Sequence, residues 1–194
     1  MPKYGFKRKP IGQSFYRSLP FGRWTFHVAF INHDADVDVT ADVAVRVDAV
    51  EDLVHSGDKL LSGREKQETA TIGAELGNIA DHRQKRWTIA SISDVEGVAA
   101  AMLDEFAKFG LPYLERYSDL DKMLDVLCGN DPGAWLNSPV HAERCKRAVA
   151  LALVLGKRDR VLDLGRRCEE FLQERGDPGL RLFKEFTSRV LEGD

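Results

Sequence analysis

With 194 residues, 43% of them apolar and 30% charged, the chain is composed like a folded globular protein, which excludes a disordered or membrane-embedded polypeptide. A formal net charge of −3 gives no whole-molecule attraction to nucleic acid or anionic lipid. Cys128, Cys145 and Cys168 are odd in number and have no C-x-x-C spacing, so free thiols in a reducing, cytoplasmic compartment are expected.

The charge is unevenly spread. Six Lys or Arg and no acid precede Asp34, whereas Asp34 to Asp52 holds seven acids and only Arg46 as a base. The basic start is not followed by an apolar stretch, so no secretory signal is expected. The longest apolar run, Ala148 to Leu155, is too short to span a bilayer.

"YGFKRKPIGQSFYRS" interleaves Lys7, Arg8, Lys9 and Arg17 with Tyr4, Phe6, Phe15 and Tyr16. It reads as a leading β-hairpin around a "PIGQ" turn, with an open alternative as a nucleic-acid-binding arm. Trp24, Phe26, Val28 and Phe30 alternate with smaller or polar residues, and so do Val37 to Val47, which predicts two antiparallel strands with one face buried. Matching apolar positions pairs Phe30 with Val37 and sets His27 opposite Thr40. Asp48 and Glu51 suggest a capping box for a short helix ending near His55, and a polar loop follows to Gln67. "TATIGAELGNI" and "RWTIAS" read as the fourth and fifth strands.

Ser93 and Glu96 suggest a second capping box. It opens a helix with the stripe Val95, Val98, Ala99, Met102, Phe106 and Phe109, stopped by Gly110. Ser118 is expected to cap a shorter helix bearing Met123, Leu124 and Leu127, closed by Gly129. "GNDPGAWLN", 129–137, reads as a linker. Beyond it come three helices: one from Ser138-Pro139 with Cys145, Ala148, Val149 and Ala152 inward, one carrying Val161, Leu164, Cys168, Phe171 and Leu172, and one after Asp177-Pro178 with Leu182, Phe183, Phe186 and Val190. The first two resemble a tetratricopeptide-like hairpin in a single copy. The expected architecture is α+β: an antiparallel sheet of about five strands covered by helices over 1–128, a linker at 129–137, and a helical module over 138–194.

The familiar phosphate-loop, dinucleotide, zinc-protease and hydrolase motifs are absent. His27, Asp38 and Asp42 are expected on one wet sheet face, an arrangement that could serve as a general base or a metal site, or simply as a solvated acidic face. His141 and Cys145, four apart on a helix, have a metal-compatible spacing, with Cys128 and Cys168 as further thiols. Their places on apolar stripes favour core packing. Lys157, Arg158, Arg160, Arg166 and Arg167 form a basic group interspersed with acids, which reads as mixed solvated surface.

The opening "YGFKRKPIGQSFYR", the "DVAVRV" strand and "FAKFGLPYLERYSDLDKMLDVL" resemble a bacterial family of unknown function, domain-of-unknown-function family 4304, over residues of about 3–127. The stretch from Gly110 to Arg116 is the most distinctive part. The resemblance implies a compact α+β fold and no assigned reaction. Family members carry a helix before the Gly-Phe-Lys motif, whereas Met1 lies almost on it here. Either the start is late or that helix is lacking; if it is lacking, an apolar sheet face open to a partner, or to a second copy in a homodimer, is expected.

Together these readings predict a non-catalytic protein-interaction protein, of an immunity or adaptor kind, with an unidentified protein partner and no cofactor, resident metal or membrane attachment. Two alternatives stand beside it. One is a nucleic-acid binder using Lys7, Arg8, Lys9, Arg17 and Arg23; the other is a small enzyme or metal binder at His27, Asp38 and Asp42.

Overall fold

The computed structural model describes residues 1–9 and 12–192, the side chain of Glu192 excepted. The "PIGQ" turn of the leading hairpin falls partly outside the described residues. The fold is α+β, with an antiparallel sheet and helices, and it divides into two compact units: Met1–Val45 with Gly73–Ser118, and Arg46–Ile72 with Asp119–Asp194. The segment 129–137 thus lies inside the second unit.

The sheet runs β1 (Lys7–Arg8), β2 (Ser14–Leu19), β3 (Gly22–Asn32), β4 (Val37–Val47) and β5 (Ile72–Glu75), and β6 (Trp87–Ile89) also pairs with β4. The leading hairpin is present: Lys7 pairs with Tyr16 and Arg8 with Phe15. β2 turns tightly into β3 through Pro20-Phe21, pairing Leu19 with Gly22 and Phe15 with Phe26. Between β3 and β4 the His33 N–H donates to the Asp36 carbonyl at 2.9 Å, closing a turn over Asp34-Ala35. Counting back along two strands of equal length, 11 residues each, sets Phe30 opposite Val39 and His27 opposite Asp42. This differs by two residues from the register that apolar matching predicts. A two-residue shift preserves which side chains face the core, so hydrophobicity alone could not separate the two; the turn decides.

The first unit's core centres on Phe106. Its ring makes edge contacts with Tyr4, Phe6 and Phe26 at centroid distances of 5.3, 5.6 and 5.2 Å. Gly5, at φ 79, turns the chain from the short 3-10 segment Pro2–Tyr4 into Phe6 and β1. After β5 come α3 (Leu76–Asp81) and, past β6, α4 (Val95–Glu105). The cap of α4 is not Ser93 with Glu96. α4 has no side-chain cap; the capping box lies one turn earlier, on the 3-10 turn Ile92–Asp94, where Asp94 Oδ2 accepts from the Ser91 and Ala90 N–H groups at 2.7 and 3.0 Å. Nor does Gly110 end this helix. The chain continues through one π turn, Phe106–Gly110, into α5 (Leu111–Arg116). The wider turn accommodates Pro112, whose ring and missing N–H would otherwise break regular helix pairing. Gly110 is there for closeness: a Cβ would meet Leu76 and Phe106 side chains at 2.9 Å.

In the second unit α1 (Asp48–His55) and α2 (Gly63–Glu68) precede α6 (Leu120–Leu127), α7 (Pro132–Asn137), α8 (His141–Val154), α9 (Arg158–Glu174) and α10 (Leu180–Glu192). Several local expectations are corrected. The polar loop to Gln67 contains α2, opened by a Ser62/Glu65 capping box. The 129–137 segment contains α7, because Asp131 Oδ1 accepts from Ala134 N–H at 2.8 Å and Pro132 occupies the first turn; here Asp-Pro starts a helix. Asp119, not Ser118, caps α6, accepting from the N–H groups of Asp121 and Lys122 at 3.1 and 3.3 Å.

α8 is the central helix and packs on α1, α6, α9 and α10. Ala148 through Ala152 are all fully buried, as expected of a helix surrounded on every side. α1 has no side-chain cap, since Glu51 turns inward. The Glu51 carboxylate accepts from Arg147 Nε and Nη2 at 3.0 and 3.3 Å. His55 Nε2 lies 3.3 Å from it without hydrogen-bond alignment. Burial alone would raise the Glu51 carboxyl pKa, but the imidazole and the guanidinium overcome it and hold the group far below the usual carboxylate range.

Candidate functional site

Four stripe residues of α4, Val95, Val98, Ala99 and Met102, face inward by spacing, yet only Met102 is buried. Opposite them the sheet offers Phe15, Phe26, Val28 and Phe30, with Val39 and Ile89 from the neighbouring strands. Met1 and Pro2 complete a groove of about 340 Å³ with an apolar lining. Phe30 is 49% and Val95 39% exposed, so the layer between helix and sheet is incompletely filled at this end. From Ala90 to Ala107 the chain carries Asp94, Glu96, Asp104 and Glu105 and no Lys or Arg; none of the four lines the groove, and Glu96 is the sequence neighbour of its rim residue Val95. Glu105 is engaged by Lys85; Glu96 and Asp104 are exposed.

The sequence-predicted polar residues are distributed differently. His27 Nδ1 and Ser14 Oγ hydrogen-bond at 2.9 Å, and the imidazole is the electrostatic neighbour of Asp42. Burial raises the Asp42 carboxyl, with His27 acting against it. Asp38 does not join them. It accepts from Thr88 Oγ1 at 2.8 Å and Arg86 Nη1 at 3.3 Å, and lies 3.2 Å from His33 Nε2. Ligand atoms of His33, Asp36 and Asp38 fall within 4.8 Å of one another, but Asp38 is already satisfied by protein donors, so this cluster fixes the β3–β4 turn against β6.

The cations of the opening stretch are largely used within the sheet. Lys9 and Arg23 lie over Tyr16 at 5.5 and 5.0 Å, and Arg17 lies over Trp24 at 4.6 Å while donating to the Tyr4 carbonyl at 3.3 Å. Rings covered in this way are poor stacking platforms for bases. Lys7 and Arg8 are exposed on the sheet's edge strand, where charge discourages strand addition. His141 and Cys145 part company too. The His141 ring packs on Phe171 and Trp135, whereas Cys145 is buried and lines a small cavity with Cys128 and Cys168.

The α4 stripe is legible in sequence. That it stays uncovered is not, because coverage depends on elements far away in the chain. No family model matches this chain, nor does any curated protein or solved structure. Among the described residues no helix is long and apolar enough to cross a membrane.

Proposed function

We propose that the chain is a non-catalytic interaction protein whose groove between α4 and the sheet seats an amphipathic helix with basic flanks. The observation that carries this reading is the unfilled apolar layer at Phe30, Val95 and Val98. A small ligand is normally oriented by a few polar groups, and the groove's lining side chains are apolar. An extended peptide would bring unpaired backbone groups against apolar walls at a cost of roughly 1–3 kcal/mol each. A helix satisfies its own backbone and presents side chains at i, i+3, i+4 and i+7. Glu96, next to the rim residue Val95, complements basic residues on that helix. An immunity or adaptor role in the cytoplasm of a bacterium, and kinship with the family the opening stretch resembles, belong to the same proposal.

The test places a photo-crosslinking amino acid at Phe30 and, as a control, at Leu162, which is 68% exposed in the second unit. Adducts at position 30 should map to an amphipathic, Lys/Arg-flanked segment of another protein, survive nuclease, and disappear with Val98→Asp. Adducts that nuclease removes would favour the nucleic-acid alternative. Adducts to a second copy of the chain would make the occupant homotypic. Adducts indifferent to Val98→Asp would remove the groove from the account.

A further inference from the structure

An independent feature lies in the second unit, where the end of α1, the loop after it, α8 and α10 enclose a cavity of about 490 Å³. Its wall follows helical spacing. α8 contributes Glu143, Lys146 and Arg147, and α10 contributes Leu182, Glu185, Phe186 and Arg189, which are i, i+3, i+4 and i+7 on one face. The loop adds Asp58, Lys59, Leu60 and Leu61. Apolar surface is left open here: Leu60 is 90% and Leu182 44% exposed, whereas Phe186 is buried.

The charges of the wall divide into those already answered and those left over. Glu143 accepts from Lys146 Nζ at 2.7 Å, and Glu185 from Arg181 Nη1 at 2.9 Å. Asp58 Oδ1 accepts from the Leu60 and Leu61 N–H groups at 2.7 and 3.3 Å, and the Lys66 ammonium sits on the Asp58 carbonyl. Arg147 spends Nε and Nη2 on Glu51. Lys59 and Arg189 form no ion pair among the described residues. Arg189 Nη2 donates to a neutral acceptor, the Leu53 carbonyl, at 3.4 Å, and its guanidinium lies across Gly57 in the space a Cβ would take. Each acid of the wall thus has a donor, while two of its cations lack an anion.

We propose that this cavity binds a small organic phosphate, a monoester whose oxygens lie against Arg189 and Lys59 and whose apolar body covers Leu60, Leu182 and Phe186. Charge selects the head group. A phosphate monoester carries about −1.5 to −2 at neutral pH, which matches two unanswered cations, and a guanidinium pairs with it through parallel N–H bonds. A cationic ligand would have to displace a donor from Glu143, Asp58 or Glu185. Volume selects the body. The cavity falls within the roughly 300–1,000 Å³ of sites that hold drug-sized molecules, and a bare phosphate would leave the apolar wall uncovered.

The experiment follows the amide NMR spectrum of the isotope-labelled, full-length protein during titration with naphthyl phosphate, inorganic phosphate and naphthol. Naphthyl phosphate should give saturable shifts at Gly57, Leu60, Leu61 and Arg189, and the other two probes should bind at least about tenfold more weakly. Lys59→Gln/Arg189→Gln should weaken naphthyl phosphate binding by about tenfold or more, since hydrogen bonds to charged groups are the strong ones. Both residues are exposed, and the remainder of the variant's spectrum shows that it is folded. No saturation at millimolar naphthyl phosphate, or shifts confined to the first unit, overturns the proposal. So does equal binding of naphthol or of inorganic phosphate, or a folded double variant that binds as before.

Discussion

Replacing Arg147 by Met would leave the Glu51 carboxylate, whose side chain is fully buried, without the guanidinium that holds both its oxygens. Breaking a buried pair from one side costs about 3–5 kcal/mol. Glu51 has one escape, which is to take up a proton. From an ordinary glutamate value near 4.3, protonation at pH 7 costs about 3.7 kcal/mol, and at pH 5 about 1 kcal/mol. The electrostatic penalty of Arg147→Met therefore cannot much exceed the first figure at neutral pH, and it should shrink by about 1.4 kcal/mol per pH unit on acidification.

The sign follows from the direction of the shift. In the unsubstituted protein the folded-state pKa of Glu51 is depressed, so its contribution is complete above the unfolded value and is lost only as the pH falls through the folded one. Between pH 7 and 5 it is constant. In the variant the buried carboxyl is raised, and stability should grow as the pH falls over the same interval. Urea unfolding at half-unit steps from pH 7 to 5 reads the difference. His55 Nε2 lies 3.3 Å away, so the series is repeated in His55→Asn/Arg147→Met, where the imidazole cannot replace the lost charge. Glu51→Gln/Arg147→Met should flatten the dependence and recover much of the loss. A cost below about 1 kcal/mol at pH 7, or one that does not change with pH, would refute the reasoning.

Two further substitutions test the first unit. Trp24, 5% exposed, donates its indole N–H to Ser118 Oγ at 2.8 Å, so Ser118→Ala should cost about 1–3 kcal/mol in urea unfolding, while Ser118→Thr, which keeps the hydroxyl, should cost less; equal losses would sink this account. Asp42 has its carboxyl raised, so the folded state binds its proton more tightly than the unfolded one and stability declines as the pH rises through that range. Asp42→Asn should therefore raise the urea midpoint at pH 7 and leave it nearly unchanged at pH 3; a lowered midpoint at pH 7 would contradict it.

Periodicity made β3, β4, α4, α8 and α9 legible, because alternation and helical stripes are local properties of a segment. The ends of helices were harder. Ser91, Ser93 and Asp94 are all competent caps within four positions, as are Ser118 and Asp119, and only backbone geometry chooses among them. Ser118 reads locally as a helix cap, yet its hydroxyl serves Trp24, 94 positions earlier. Glu51 reads locally as a capping residue, and nothing next to Arg144 marks it as buried: their partners, Arg147 for the one and Ser138 and Asn130 for the other, cannot be inferred from neighbours in sequence. The pair His27 and Asp42 came together because a turn at Asp34-Ala35 set the register, while Asp38 was taken by β6, whose pairing lies 50 positions away.

The groove's energetics constrain what can sit in it. Fully burying a Phe or Val side chain is worth about 1.5–3 kcal/mol. Phe30 and Val95 are only partly exposed, so covering them returns roughly 1 kcal/mol each, and the shallower Val98 and Ala99 return less. Association itself costs on the order of 4 kcal/mol or more. The open surface of this chain is therefore too small to hold a partner alone. The balance must come from apolar side chains the partner buries in the 340 Å³ groove, and from charge opposite Glu96. A helix that supplies both is the occupant for which this arithmetic closes, and its binding should weaken with salt, because part of the recognition is charge opposite Glu96.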